Sequence, residues 1–342
     1  MNLRYILFQM ALFLGFVAFH AYIQSKIQVI NYWMTIILFS LYIIQFVLFV
    51  ELFVKTNDGN WQNLLKLEDV DSLNLQITSV KIKIDEEISL KGVIIKGKNV
   101  ADSKKKQYPG VILHHGFTAK KEKMYEYAFP IALKGYIVLA VDARGHGESR
   151  SLYKSAKMDD WYLGDDEGIF PDFNKIVDFF AKNSLVDEER IACKGHSMGG
   201  TICLSYGITH PKIKIAIGIS ALYSFKDFVY NSSNKIPFSL PWLYKTALRV
   251  KMSFKKEMAV EEKFSPKFFF QKMDKEKVRE KVRLVHTKND HLVLFQYNFK
   301  KMQKDLQLPS HYILTPEKGD HELRGQETLI TERILTWLEN EL

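Results

Sequence analysis

The run Gly195-His196-Ser197-Met198-Gly199 holds a hydroxyl between two glycines, the spacing at which a serine can stand as a nucleophile on a sharp strand-to-helix turn. A serine hydroxyl attacks poorly at neutral pH, so a base must take its proton and an acid must orient that base. On such a turn the acid and then the histidine follow the serine in the chain. Asp290, ending RLVHTKND, and His321, in Gly319-Asp320-His321-Glu322, fill that order. Among the alternatives, His291 adjoins Asp290 and would point away from it. His286 lies inside a strand and reads as a packed core histidine, and Asp320 would have to bend back on its neighbour. Attack on a carbonyl also needs N–H donors aimed at the developing oxyanion, each contributing about 3 kcal/mol. The main-chain N–H of Met198 is one, and Phe117, after Gly116 in the loop following GVILHHG, presents the second. His114 and His115 could be metal ligands, but no further ligand stands at the required spacing, so packing and loop hydrogen bonding are their expected roles. The expectation is chemistry without metal or cofactor.

Elements must bring these groups together. LQITSVKIKI from Leu75 and ISLKGVIIKG from Ile88 alternate as an antiparallel strand pair. Apolar strands follow at 111–114, 137–141, 191–194, 215–219, 283–286 and 312–314, with helices expected over 120–133, 168–182, 199–209, 295–306 and 327–338. Strands alternating with helices in this way predict an α/β domain with a mostly parallel sheet covered on both faces. Ser197, Asp290 and His321 all fall at the C-terminal ends of strands, where loops converge on one crevice. The aromatic, basic stretch between Ser220 and Arg283 is too long for a plain connection and predicts an inserted cap.

GVILHHGFTAKKE, VLAVDARGHGES, RIACKGHSMGG, TKNDHL and KGDHEL resemble, in order, the landmark segments of the α/β-hydrolase superfamily. The similarity is greatest to its serine-aminopeptidase-like, monoacylglycerol-lipase-like and dienelactone-hydrolase-like branches, and covers roughly residues 75–342. The resemblance implies the α/β-hydrolase fold: an eight-stranded sheet flanked by helices, antiparallel at its start, with a helical cap over about 225–281. It also implies a triad of Ser197, Asp290 and His321, and a structural role for the loop Asp142-Ala143-Arg144-Gly145-His146-Gly147-Glu148-Ser149.

The N-terminus departs from that pattern. Residues 5–23 carry no formal charge and, at about 1.5 Å per residue, span roughly 28 Å, close to the hydrocarbon thickness of a bilayer. A second apolar run, 32–54, holds one acid, Glu51, near its end. With the link Gln24-Ser25-Lys26 they predict a transmembrane helical hairpin over 1–55, followed by a linker over 56–74 and a hydrolase domain over 75–342. A cleaved signal peptide fits less well, because no small-x-small pair stands near Ala21 and another span follows at once. Near-interface placement or helix–helix hydrogen bonding accounts for Gln9, His20 and Gln45 better than a proton path does. Arg4 and Lys55 against Lys26 put the catalytic domain on the cytoplasmic side. Cys193 and Cys203 fall in core segments and predict no disulfide. The net charge of +9 comes from scattered lysines and one loop, Lys104-Lys105-Lys106, without a nucleic-acid-binding motif. It reads as a solvated basic surface near anionic lipid headgroups. The expected activity is hydrolysis of carboxylic esters of hydrophobic or lipid-derived acyl compounds, small molecules that partition into the bilayer. Peptide or amide hydrolysis and acyl transfer are the alternatives, and a non-catalytic scaffold would have lost triad residues that are all present here.

Overall fold

A computed structural model describes residues 73–101, 107–152, 167–228 and 261–342, together with Ser40 by itself. The chain divides into two compact units, Met1–Asn63 and Leu64–Leu342. The fold described here belongs to the second. Apart from Ser40, the expected hairpin lies outside the described residues, as do nearly all of the linker, the triple-lysine loop and residues 229–260 of the expected cap. Among the described residues, no helix is long and apolar enough to cross a membrane.

Eight strands form one sheet: β1 (Leu75–Lys83), β2 (Ser89–Gly97), β3 (Tyr108–His114), β4 (Ile137–Val141), β5 (Val186–His196), β6 (Ile213–Ile219), β7 (Val282–Val285) and β8 (Ile313–Leu314). Their order is β1-β2-β4-β3-β5-β6-β7-β8. β1 and β2 pair antiparallel, as do β2 and β4, and every later pairing is parallel. From β3 the chain turns to β4 on one side and returns to β5 on the other. That reversal opens a crevice beyond the C-terminal ends of β3 and β5, the place where α/β sheets hold their ligands.

The helices are α1 (Tyr125–Leu133), α2 (Asp172–Ala181), α3 (Met198–Ile202), α4 (Pro266–Lys272), α5 (Lys275–Lys281), α6 (Phe299–Leu306) and α7 (Glu327–Glu341), besides a single turn at Lys98–Ala101. Strand side chains alternate between the sheet's two faces. Ile112, Leu139, Cys193 and Ala216 pack with Phe173, Ile176 and Phe180 of α2, whereas Val111, Leu113, Val138 and Ile217 pack with Ile131 of α1 and Ile334 of α7. Both faces are therefore sealed, and each fully buried Leu, Ile or Phe contributes about 1.5–3 kcal/mol relative to exposure.

Three differences from the sequence expectation have local causes. The single helix expected over 199–209 is α3 followed by a π-helical turn, Cys203–Gly207, in which a side chain at Gly207 would meet Cys193 Sγ at 2.7 Å. The long insertion ends in α4 and α5, the latter capped by Asp274, which accepts from the Lys277 N–H at 3.1 Å. The last strand is only two residues long, and a 3-10 turn, Ser310–Tyr312, precedes it. It is braced by Trp337 of α7, whose Nε1 donates to the His311 carbonyl at 2.7 Å, and by the Arg283 guanidinium lying 3.3 Å over the Tyr312 ring. Cys193 and Cys203 are buried free thiols.

Candidate active site

Ser197 sits between β5 and α3 with φ 51° and ψ −111°, a left-handed conformation that costs a non-glycine residue about 1–3 kcal/mol. Its neighbours make the turn possible. A Cβ at Gly195 would lie 2.1 Å from the Gly199 carbonyl, and one at Gly199 would lie 2.2 Å from the His114 carbonyl. Strand end and helix start thus touch backbone to backbone, which only glycine permits. The Ser197 N–H donates to the Ile219 carbonyl at 2.8 Å, and its carbonyl accepts from both the N–H and the Oγ of Thr201, each at 2.9 Å. The hydroxyl bearer is held, half-buried, at the N-terminus of α3.

Main-chain bonds continue the sheet one residue past its edge: Ser220 N–H to the Val285 carbonyl at 2.9 Å, and His286 N–H to the Leu314 carbonyl at 3.1 Å. The loops after β5, β6, β7 and β8 are thereby aligned. In them the structure brings together the acid and the base read from the sequence. His321 Nδ1 donates to Asp290 Oδ2 at 2.8 Å, which leaves Nε2 as the unprotonated nitrogen of the neutral ring. Asp290 is buried, and Oδ1 accepts from the N–H groups of Leu292 and Val293 at 2.9 and 2.8 Å. Burial alone would raise its pKa, but hydrogen bonds from His286 and His321 outweigh it and hold the carboxyl well below the usual range.

His286 is the group that sequence reading missed. It is buried as expected, yet its Nε2 lies 2.8 Å from the Val293 carbonyl and 3.1 Å from Asp290 Oδ2, so one N–H serves both acceptors. Its spacing of four residues from Asp290 was the available signal. His291 and Asp320 do not join the pair: among the described residues, Asp320 Oδ1 caps the following turn through the Glu322 N–H at 3.0 Å.

The loop after β3 flanks Ser197. A Cβ on Gly116 would stand 3.5 Å from Ser197 Cβ, and the loop folds back through Ala119 N–H to the Gly116 carbonyl at 3.2 Å, with Thr118 at φ 65°. Phe117 occupies this turn, partly buried, and its ring meets His146 edge-on at 5.8 Å. Met198 is buried at the start of α3. Both expected oxyanion donors therefore border the Ser197 turn. Lys121 anchors the loop: its N–H and Nζ donate to the two oxygens of buried Asp142 at 2.7 and 2.9 Å, and Nζ also reaches Glu148 at 2.5 Å. Glu148 N–H and the Ser149 hydroxyl close the rest of the 142–149 loop onto Asp142, while Arg144 forks onto Asp172.

His114 and His115 take packing and loop roles. His115 Nδ1 donates to the Gly116 carbonyl at 2.7 Å and Nε2 accepts from the Ala143 N–H at 3.0 Å, so neither nitrogen is open to a metal. Burial lowers His114 to about 4 and His115 well below its ordinary value, which keeps both rings neutral. One group among the described residues has metal-like spacing: His196, His321 and Glu322, with ligand atoms within 4.8 Å of one another. Each is committed elsewhere, His196 Nε2 to the His321 carbonyl at 2.9 Å, His321 to Asp290, and Glu322 to Lys123 at 3.3 Å. The three fit the packing around His321 better than they fit a cation.

A profile of the family described as serine aminopeptidase, S33, matches residues 106–316. The Bacillus subtilis (strain 168) protein YitV, named as a candidate esterase, is 26% identical over 118 residues, which are 34% of this chain and 46% of YitV. Among solved structures, the Pyrococcus horikoshii acylaminoacyl peptidase superposes with a TM-score of 0.57 at 20% identity, over 82% of this chain and 42% of that one. A puromycin-hydrolyzing peptidase of Mycobacterium tuberculosis superposes with a TM-score of 0.59 at 17% identity, over 78% of this chain and 39% of the other. This chain spans less than half the length of these three proteins. The structural likenesses show the fold, and the profile shows the lineage. With its eight-stranded sheet and a serine turn at the sheet's switch point, the chain belongs to the serine aminopeptidase S33 family of α/β-hydrolases.

Proposed function

We propose that this protein is a serine hydrolase that cleaves carboxylic esters of hydrophobic acyl groups through an acyl-enzyme on Ser197. The observation that carries the reading is the 2.8 Å bond from His321 Nδ1 to Asp290 Oδ2 in loops aligned with the Ser197 turn. His321 Nε2 takes the hydroxyl proton as Ser197 Oγ attacks the acyl carbonyl, and Asp290 steadies the imidazolium that results. The N–H groups of Met198 and Phe117 receive the oxyanion. The tetrahedral intermediate collapses as His321 gives that proton to the leaving oxygen, the alcohol departs, and a water activated by the neutral His321 then releases the acid and restores Ser197. Hydrolysis of p-nitrophenyl acyl esters of graded chain length by purified full-length protein and by Ser197→Ala tests the reading. Turnover confined to the wild type supports it, and undiminished turnover by the variant overturns it.

Residues 5–23 and 32–54 support a two-span anchor, with the catalytic domain on the cytoplasmic side and a substrate that partitions into the bilayer. Protease accessibility in sealed vesicles tests the topology. The family description favours a second reading, cleavage of peptide or amide bonds by the same residues. Parallel assays with aminoacyl-p-nitroanilides and p-nitrophenyl esters separate the two.

A further inference from the structure

The carbonyl of His321 accepts two hydrogen bonds from side chains remote in sequence. His196 Nε2 lies 2.9 Å away and Ser220 Oγ lies 3.1 Å away. A carbonyl can only accept, so His196 carries its proton on Nε2, and burial, which lowers its pKa to about 4, keeps the ring neutral. Both donors are held rigidly. His196 is the last residue of β5, directly before Ser197, it is buried, and its ring lies close against the backbone of Gly116 in the loop after β3. Ser220 is fully buried at φ 49°, with its N–H bonded to Val285. By contrast, the His321 segment is a loop after a two-residue strand.

We propose that His196 and Ser220 form a two-donor clasp on the His321 carbonyl, and that they are positioning residues fixing where the imidazole stands relative to Ser197. The clasp ties the general base to the strand ends that carry the nucleophile. Neither side chain needs to touch substrate. Losing one donor leaves the loop only half held by the other, so the two act jointly. This inference rests on the triad reading above.

The test uses full-length protein carrying His196→Leu, His196→Gln, Ser220→Ala, the Leu/Ala double substitution, and Ser197→Ala as reference. Initial rates on a p-nitrophenyl ester give kcat and KM, fluorophosphonate labelling reports on Ser197, and thermal melts report on folding. The expected result is a kcat and labelling rate lower by about ten-fold to a hundred-fold in the single variants, since small misplacements of a reacting group have effects of this size. KM should stay within about two-fold. His196→Gln, whose amide N–H reaches the same carbonyl, should recover most of the loss, and the double variant should fall below the product of the singles. If His196→Leu melts without cooperativity, Ser220→Ala against wild type decides alone. Wild-type kcat and labelling in the clasp variants, with Ser197→Ala inactive, overturn the clasp and leave the triad standing. Undiminished hydrolysis by Ser197→Ala instead overturns the triad itself. A His196→Gln loss equal to that of His196→Leu overturns the hydrogen-bond role of His196.

Discussion

His286 Nε2 stands 3.1 Å from Asp290 Oδ2, the same oxygen to which His321 donates. Asp290 is therefore oriented from the buried side as well as from the site. Asp290→Asn should lower kcat by about four orders of magnitude, because the base loses its correct tautomer. His286→Leu removes the supporting bond, together with the one to the Val293 carbonyl, and should lower kcat by about ten-fold with KM unchanged. A wild-type kcat for His286→Leu would show that the two main-chain donors suffice to hold Asp290.

Lys121 and Asp142 form a buried pair, 3% and 0% exposed. Removing one partner of such a pair leaves an uncompensated charge at a cost of about 3–5 kcal/mol. Lys121→Met should destabilise the domain accordingly in chemical denaturation. In the fraction that folds, kcat should fall as well, since the Gly116–Lys121 loop loses its anchor. A variant with wild-type stability would refute the anchoring role.

Lys194 is fully buried, with its Nζ 3.4 Å from the centre of the Tyr127 ring and 3.6 Å from Met124 Sδ. Burial lowers its pKa to about 7, and the nearby acids Glu126 and Glu322 oppose this only in part. Between that value and the ordinary 10.5 the unfolded chain binds a proton that the folded chain does not, so this residue's cost is full below about pH 7 and fades as pH rises. Lys194→Met should stabilise the domain at pH 7, each kcal/mol raising the melting midpoint by about 2 °C. That advantage should shrink toward pH 10. A lower midpoint at pH 7 would contradict this.

Acid should unfold the domain from an unusually high pH. His114, His115 and His196 are all held below 6.5 by burial. Below pH 6.5 the unfolded chain gains protons that the folded chain refuses, so stability falls as pH drops toward about 4. Each histidine contributes about 1.4 kcal/mol per pH unit in that window. Denaturant midpoints between pH 7 and 4.5 should show the drop, and a flat profile would exclude it. Below 3.8 the depressed carboxyl of Asp290 adds its own loss as it is protonated.

Patterns that repeat locally were legible in the sequence. The alternating and apolar strands, the glycine-flanked serine and the order of Ser197, Asp290 and His321 were open to simple pattern rules; the structure sets Ser197 directly after β5, and Asp290 and His321 in the loops that follow β7 and β8. Long-range pairings were not legible. Lys121, in a lysine-rich run, reads as a surface residue, and only Asp142, 21 positions away, makes it a buried one. His286 reads as core because hydropathy cannot show that the carboxyl four residues later folds back onto it. The 3-10 turn before β8 took the place of strand because Tyr312 is claimed by Arg283.

The two-residue strand β8 also sets a temporal order. His196, next to the nucleophile, and His321 are 125 positions apart, and the loop bearing His321 follows β8 at the edge of the sheet. A ribosome delivers the serine turn long before the segment that carries His321, and α7, whose Trp337 donates to the His311 carbonyl, emerges later still. Until then the nascent chain carries an inert hydroxyl. Ser197 thus stands without its histidine through most of synthesis, and a chain that stops before residue 321 lacks the partner of Asp290 altogether.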